Sequence, residues 1–261
     1  MNRLLFSIPF GYFLKTRLNT KSAILFHGYA EYLLGVLFLL YSGLEPLQAV
    51  YSFGLAYLAF ISVYEIGYII NDFISVKFEE KARKRLSGMQ ISDATIYTWI
   101  IIRIAAFLFL TYYLGMISSA TWWVFYVALS AIFALHNVLK RKEYKILTFV
   151  SLAVLRFYAP LFPFMDTALQ VSSINGMMLF YVLFRTLTYI DSKGLLNLPA
   201  RASFSFKANY YLLLLPLSIV VVFITNDYIC LWLNLYFLLF WGAFYLANKV
   251  GIIADNPVRI E

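Results

Sequence analysis

The chain has one cysteine, Cys230, in 261 residues, which excludes an internal disulfide, and no metal-site spacing surrounds it. Charge is scarce as well: Asp, Glu, Lys and Arg fill 13% of positions, about half the share of a soluble domain. Proline is rare inside the apolar runs; Pro46, Pro160 and Pro163 sit at loop edges, and Pro216 is the exception. A transporter with helices broken at mid-membrane would need more such breaks. The N-terminal stretch "MNRLLFSIPFGYFLKTRLNTK" has basic residues after its short apolar part and no small-residue cleavage site. It reads as a helix lying in the membrane interface over residues 1–20 rather than as a cleaved signal peptide.

What is present is apolar. Hydrophobic residues make up 62% of the chain and the mean hydropathy is +0.78, a composition suited to lipid. Runs of about 20 apolar residues, the length that spans a bilayer, can be drawn eight times. They cover residues 22–41, 47–71, 95–114, 120–138, 146–163, 173–190, 209–224 and 229–246. Continuous apolarity over such lengths favours helices over a barrel, because lipid requires the backbone to satisfy itself locally. The expectation is an all-α polytopic transmembrane bundle of about eight or nine helices.

One set of loops lacks basic residues altogether. The loops after the second, fourth and sixth runs, with both termini, carry every lysine and all but three arginines. The opposite loops hold Glu45, Asp166 and Asp227. The positive-inside rule therefore predicts cytoplasmic N- and C-termini. The net charge of +8 is accounted for by this topology and by anionic lipid head groups, and needs no nucleic-acid partner.

Ionisable residues inside the runs are few: His27, Glu31, Glu65, Arg103, Arg156 and Arg185. Each is costly in lipid and marks either a buried pair or a function. Glu65 can neutralise Arg103 or Arg185, or belong to an ion path; His27 and Glu31 can pair at i,i+4 on one helix face. At the run ends stand Asn71, Asp72, His136, Asn137 and Asp191, with His136 read as a packed, hydrogen-bonded histidine before a base. Continuing the second helix past Asn71 stacks Asn71, Ser75 and Glu79 on one face, with Asp72 and Glu80 on the next stripe. Such oxygens beside lysines and arginines suit a hard divalent cation bridging to phosphate, or simply a solvated helix end with its charges paired.

Weak internal repetition adds to this. The second run ends "GYIINDF" and the sixth "LTYIDSK"; the fourth ends "LHNVLKRK" and the eighth "YLANKV". Two four-helix halves of one integral membrane domain, 21–138 and 139–261, are expected around a central cavity, with Asp72 and Asp191 facing each other there.

"NDFISVKFE" resembles the first aspartate-rich motif of the UbiA superfamily of intramembrane prenyltransferases, with Asn71 and Asp72 matching and Glu79 replacing a later aspartate. "TYIDSKG" resembles the second motif through Asp191, and "LHNVLKRKEYKILTFVSLAVLRFYAP" resembles the segment joining the fourth and fifth helices. That segment and the "DNPVRIE" tail look like the branch acting on polyprenyl phosphate with a phosphoribosyl donor.

The resemblance implies a transferase that moves a prenyl or phosphoribosyl group from a diphosphate donor to a lipid or aromatic acceptor at a cytoplasm-facing site, in a bacterial inner membrane. It implies Asp72 and Asp191 as catalytic, metal-holding residues supported by Asn71 and Glu79. Lys81, Arg83, Lys140, Arg141, Arg156 and Lys193 are implied as phosphate contacts. Ser75 and Leu195 stand where the family has further aspartates, which implies one Mg²⁺ ion rather than two, or basic side chains in place of the second. A member that binds a lipid phosphate or a partner protein without turnover, and a small transporter, are the alternatives.

Overall fold

A computed structural model describes residues 3–18, 20–74 and 91–253, and every regular element among them is a helix. Two short helices, α1 (Arg3–Ser7) and α2 (Gly11–Thr16), come first. Eight long apolar helices follow: α3 (Ala23–Tyr41), α4 (Pro46–Phe73), α5 (Asp93–Tyr113), α6 (Ala120–Val138), α7 (Lys142–Phe164), α8 (Thr167–Ser192), α9 (Phe204–Thr225) and α10 (Ile229–Lys249). α7 is α-helical to Tyr158 and is completed by a 3-10 turn at Phe162–Phe164. Each of the eight is long and apolar enough to cross a membrane, as the apolar runs predict, and the chain is a multi-pass integral membrane protein.

The helix starts follow from single polar residues. Thr20, Ser92, Ser119, Asp166 and Ser203 each accept a backbone N–H from the first turn of the helix they precede, and Pro46 opens α4. The Asp166 cap explains why α8 begins at Thr167 and not at 173, where the apolar run starts: the cap outweighs the polar Gln170 and Ser172. Large apolar side chains such as Leu213, Phe223 and Ile224 of α9 point outward, 77%, 85% and 77% exposed, as lipid-facing positions do.

The chain forms two compact units, Met1–Met165 and Asp166–Glu261. The division groups α3–α7 and α8–α10, whereas the sequence-based halves grouped four helices with four.

In the first unit, the segment expected to lie in the interface is a helical hairpin folded onto α4 and α5. Phe6 and Tyr12 are wholly buried and cluster with Ile69, Ile96 and Trp99. The hairpin reverses at Ile8-Pro9-Phe10-Gly11, closed by the Gly11 N–H on the Ile8 carbonyl at 3.1 Å. Proline suits the first corner; Phe10 takes the left-handed second corner at φ 74°, ψ −23°, where glycine or asparagine is usual. Gly11 must be glycine because a Cβ would collide with the Leu5 carbonyl. Nearer the middle of α4, Gly67 lets the Phe133 ring of α6 lie against the backbone, and a Cβ there would overlap the ring.

Two helices contain π-helical turns: Gly28–Leu33 in α3 and Met178–Val182 in α8. A π turn loosens the carbonyl ladder, and lipid offers no water to replace it. In the second unit the Tyr210 and Tyr211 hydroxyls of α9 donate to the Leu179 and Phe180 carbonyls at 2.7 and 2.9 Å. Packing and backbone satisfaction are thus met by the same two tyrosines.

Substituting Gly67→Leu should cost about 1–3 kcal/mol by overpacking against Phe133. Gly242→Ala, in open space within α10, should be neutral or stabilising by up to about 1 kcal/mol. Thermal unfolding in detergent distinguishes the two, and equal melting temperatures would contradict the close approach at Gly67.

Candidate functional site

Three charged clusters are stacked in the first unit. The deepest joins Glu65 of α4 to Arg103 at the centre of α5, with Arg103 Nε 2.7 Å from Glu65 Oε2 and both side chains fully buried. Arg103 lies about 15 Å from either end of its helix at 1.5 Å per residue. It also donates to the Phe6 carbonyl at 2.9 Å and the Trp99 carbonyl at 3.0 Å, while Glu65 Oε1 accepts the Phe13 N–H at 2.6 Å. The pair therefore supplies partners to backbone groups that the N-terminal hairpin leaves outside its own short helices. Of the openings the sequence left for Glu65, its partner is Arg103.

The second cluster is built on Arg156 of α7. Its Nε and Nη2 grip Glu31 Oε1 and Oε2 at 2.7 and 3.0 Å, a two-pronged geometry that suits the planar guanidinium. Glu31 also accepts from the Tyr57 hydroxyl at 2.8 Å and pairs with His27 Nδ1 at 2.9 Å, the expected i,i+4 contact. The π turn at Gly28–Leu33 carries Glu31 within this arrangement. Arg156 lies over the Phe13 and Tyr64 rings at 5.1 and 5.0 Å and reaches the Tyr68 hydroxyl with Nη1 at 3.3 Å. Arg156, expected to meet phosphate, has Nε and Nη2 on Glu31 here.

The third cluster surrounds Asp72, close to the end of α4. The Tyr12 hydroxyl donates to Oδ2 at 2.7 Å, Arg17 Nη2 approaches Oδ2 and Oδ1 at 3.2 and 3.4 Å, and the Asn71 amide donates to Oδ1 at 3.2 Å. The Arg17 and Asp72 side chains are 7% and 4% exposed. Arg17 lies over the Tyr68 ring at 4.1 Å, and Phe13 stacks on Tyr68 at 6.3 Å. Tyr68 is thus the joint between the clusters, with one arginine on its ring and the other on its hydroxyl. Arg17 Nη1 is buried without a hydrogen-bond partner, a condition that costs about 1–3 kcal/mol for a polar group and more for a charged one.

Close by, the Asn137 amide of α6 donates to the Gly67 carbonyl at 3.3 Å. His136 Nδ1 sits 2.7 Å from the Thr148 hydroxyl of α7, the packed, hydrogen-bonded histidine the sequence suggested. Lys140 and Arg141 are exposed in the link between α6 and α7, with Arg141 5.9 Å over the Tyr144 ring. Glu79, Lys81 and Arg83 lie outside the described residues.

In the second unit, Asp191 near the end of α8 pairs with Arg201 Nε and accepts the Leu198 N–H at 2.7 Å, closing the turn after the helix. Lys193 lies over the Tyr189 ring at 5.3 Å, and Arg185 over Tyr181 at 5.4 Å. Arg17, Tyr12 and Arg201 were not foreseen from the sequence. Arg17 was absorbed into the basic N-terminal stretch, where "IPFG" was the available sign that the chain turns back.

A Mg²⁺ ion would need oxygens that are not already held. Among the described residues no three His, Cys, Asp or Glu come together, and the carboxylates of Asp72 and Asp191 are each turned to an arginine. The described donors do not by themselves fit the ion, whose other expected carboxylate, Glu79, is not among them. Comparison with protein-family models, with curated proteins and with solved structures finds no match.

Removing one member of the central pair, as Arg103→Leu or Glu65→Leu, should cost about 3–5 kcal/mol by stranding a buried charge. The Glu65→Leu/Arg103→Leu double variant should recover only part of this, because Phe6 and Phe13 still lose their backbone partners. Unfolding in detergent measures the loss, and limited proteolysis should show the N-terminal hairpin released. A double variant with wild-type stability and an intact hairpin would show that the pair does not hold the turn.

Proposed function

We propose that the protein is a UbiA-type intramembrane transferase that moves a prenyl or phosphoribosyl group from a diphosphate donor to a lipid or aromatic acceptor. The observation that carries this reading is the Asn71–Asp72 end of α4. There Tyr12, Arg17, Tyr68 and Asp72 gather at one end of a long apolar helix. Asn71 and Asp72 are also the residues through which the chain resembles the superfamily. In the proposed reaction the bond between donor C1 and the diphosphate oxygen breaks, and its electron pair leaves with the diphosphate. A phosphate oxygen of the acceptor supplies the pair for the new bond to C1; an aromatic acceptor would supply it from the ring and then lose the ring proton to a base or water. A polyprenyl phosphate acceptor is already anionic and needs no base. Arginine donors would stabilise the charge building on the leaving group, and aromatic rings would shelter the cationic carbon. The distribution of basic residues in the loops supports a cytoplasm-facing site, and the resemblance to the superfamily supports a bacterial inner membrane.

One observation favours a second reading, a UbiA-like protein that binds a lipid phosphate without turnover: both aspartates are engaged by arginines, Asp72 by Arg17 and Asp191 by Arg201. The transporter alternative loses ground. Glu31, Glu65 and Arg103 are bound in buried pairs, with Glu65 and Arg103 also holding backbone groups. A proton or ion path would have to break those pairs.

The deciding measurement is mass spectrometry of lipids after the purified protein is incubated with polyprenyl phosphate and labelled allylic or phosphoribosyl diphosphate, with Mg²⁺ or with EDTA. A transferase yields labelled lipid, which falls to background in Asp72→Ala and in Asp191→Ala. Loss with EDTA would add the one Mg²⁺ ion expected from Asn71, Asp72, Glu79 and Asp191. Unchanged products in both variants would overturn the aspartate site, no labelled lipid in any condition would sink the transferase, and phosphate-lipid binding without product would establish the second reading.

A further inference from the structure

Arg17 has donors to spare. Arginine presents five N–H donors in a rigid fork and cannot accept. Nη2 is engaged by Asp72, whereas Nη1 is buried and has no hydrogen-bond partner, in a side chain only 7% exposed. Arg156, the other arginine meeting Tyr68, has Nε and Nη2 on Glu31 and Nη1 on the Tyr68 hydroxyl. Of the two, Arg17 can take a new acceptor without abandoning a carboxylate that grips it from two sides.

We infer that Arg17, through Nη1, is the residue that receives a phosphate: the phosphomonoester or diphosphate end of a lipid, held beside Tyr68 with Asp72 as its competitor. The inference rests on the reading that this end of the protein handles a lipid-linked phosphate. The guanidinium fork matches two phosphate oxygens in one plane. The guanidinium sits 4.1 Å over the Tyr68 ring, which is itself backed by Phe13 and meets Phe133 at a steep angle. These apolar walls suit a phosphate attached to a hydrocarbon chain over a free ion.

Asp72 has a definite sign in this scheme. Its carboxylate occupies Nη2 and repels an arriving phosphate, so it keeps Arg17 in place only while the ligand is absent. Neutralising it frees the fork and removes the repulsion. Were Asp72 instead a metal ligand for the donor diphosphate, the same change would weaken binding.

The test is binding of farnesyl phosphate to the full chain in nanodiscs, with Mg²⁺ and again with EDTA, alongside farnesol and inorganic phosphate as probes. Farnesyl phosphate should bind most tightly of the three. Arg17→Gln should weaken it about 10- to 100-fold, the worth of a charge-assisted hydrogen bond. Asp72→Asn should tighten it, and the double variant should behave as Arg17→Gln. If Arg17→Gln does not fold, the direction of the Asp72→Asn change decides. Wild-type binding that Arg17→Gln leaves intact, or that Asp72→Asn weakens, overturns the role of Arg17 while the lipid-phosphate reading stands. Equal binding of inorganic phosphate overturns the lipid assignment. No preference for farnesyl phosphate over farnesol overturns both the inference and the reading beneath it.

Discussion

The Glu65–Arg103 pair is the interaction on which the first unit depends. A hairpin of two short helices has more unpaired backbone groups than hydrogen bonds of its own, and a membrane core supplies no water to cover them. A carboxylate and a guanidinium, neutralising one another, offer both acceptors and donors at the same point. Glu65 takes the Phe13 N–H and Arg103 takes the Phe6 carbonyl, one on each side of the turn at Pro9 and Phe10. The ions are affordable in lipid because they are paired, and the hairpin is stable there because they are ions.

With the hairpin held, everything at the end of α4 acquires its place. Tyr12 and Arg17 reach Asp72 because α2 is pinned at Phe13. Phe13 then backs Tyr68 and lies under Arg156, so one aromatic side chain links the caps, the Glu31 cluster and the Asp72 cluster. The π turn in α3 belongs to the same arrangement, since it contains the Glu31 that Arg156 grips. Charges that looked independent along the chain form a graded series. The most buried, Glu65 and Arg103, hold backbone; Glu31 and Arg156 join α3 to α7; Asp72 and Arg17 tie the end of α4 to the residue that follows α2.

The number, length and approximate ends of the eight spanning helices were determined by the sequence, because apolar runs of bilayer length have no other stable form in lipid. Capping residues such as Asp166 and Ser203 then refined where those helices begin. The i,i+4 pairing of His27 with Glu31 was legible too, since helix period alone brings them together. Partner choice among distant charges was not. Arg103 and Arg185 were equal candidates for Glu65 until packing placed α5 beside α4, a contact between residues 38 apart in sequence. Arg17 was hidden for a related reason: its meaning comes from a turn that returns it to a residue 55 positions onward, and no local pattern records that distance. Composition and periodicity decide what lipid will accept; only the tertiary structure decides which buried charges satisfy one another, because those contacts join residues far apart in the chain.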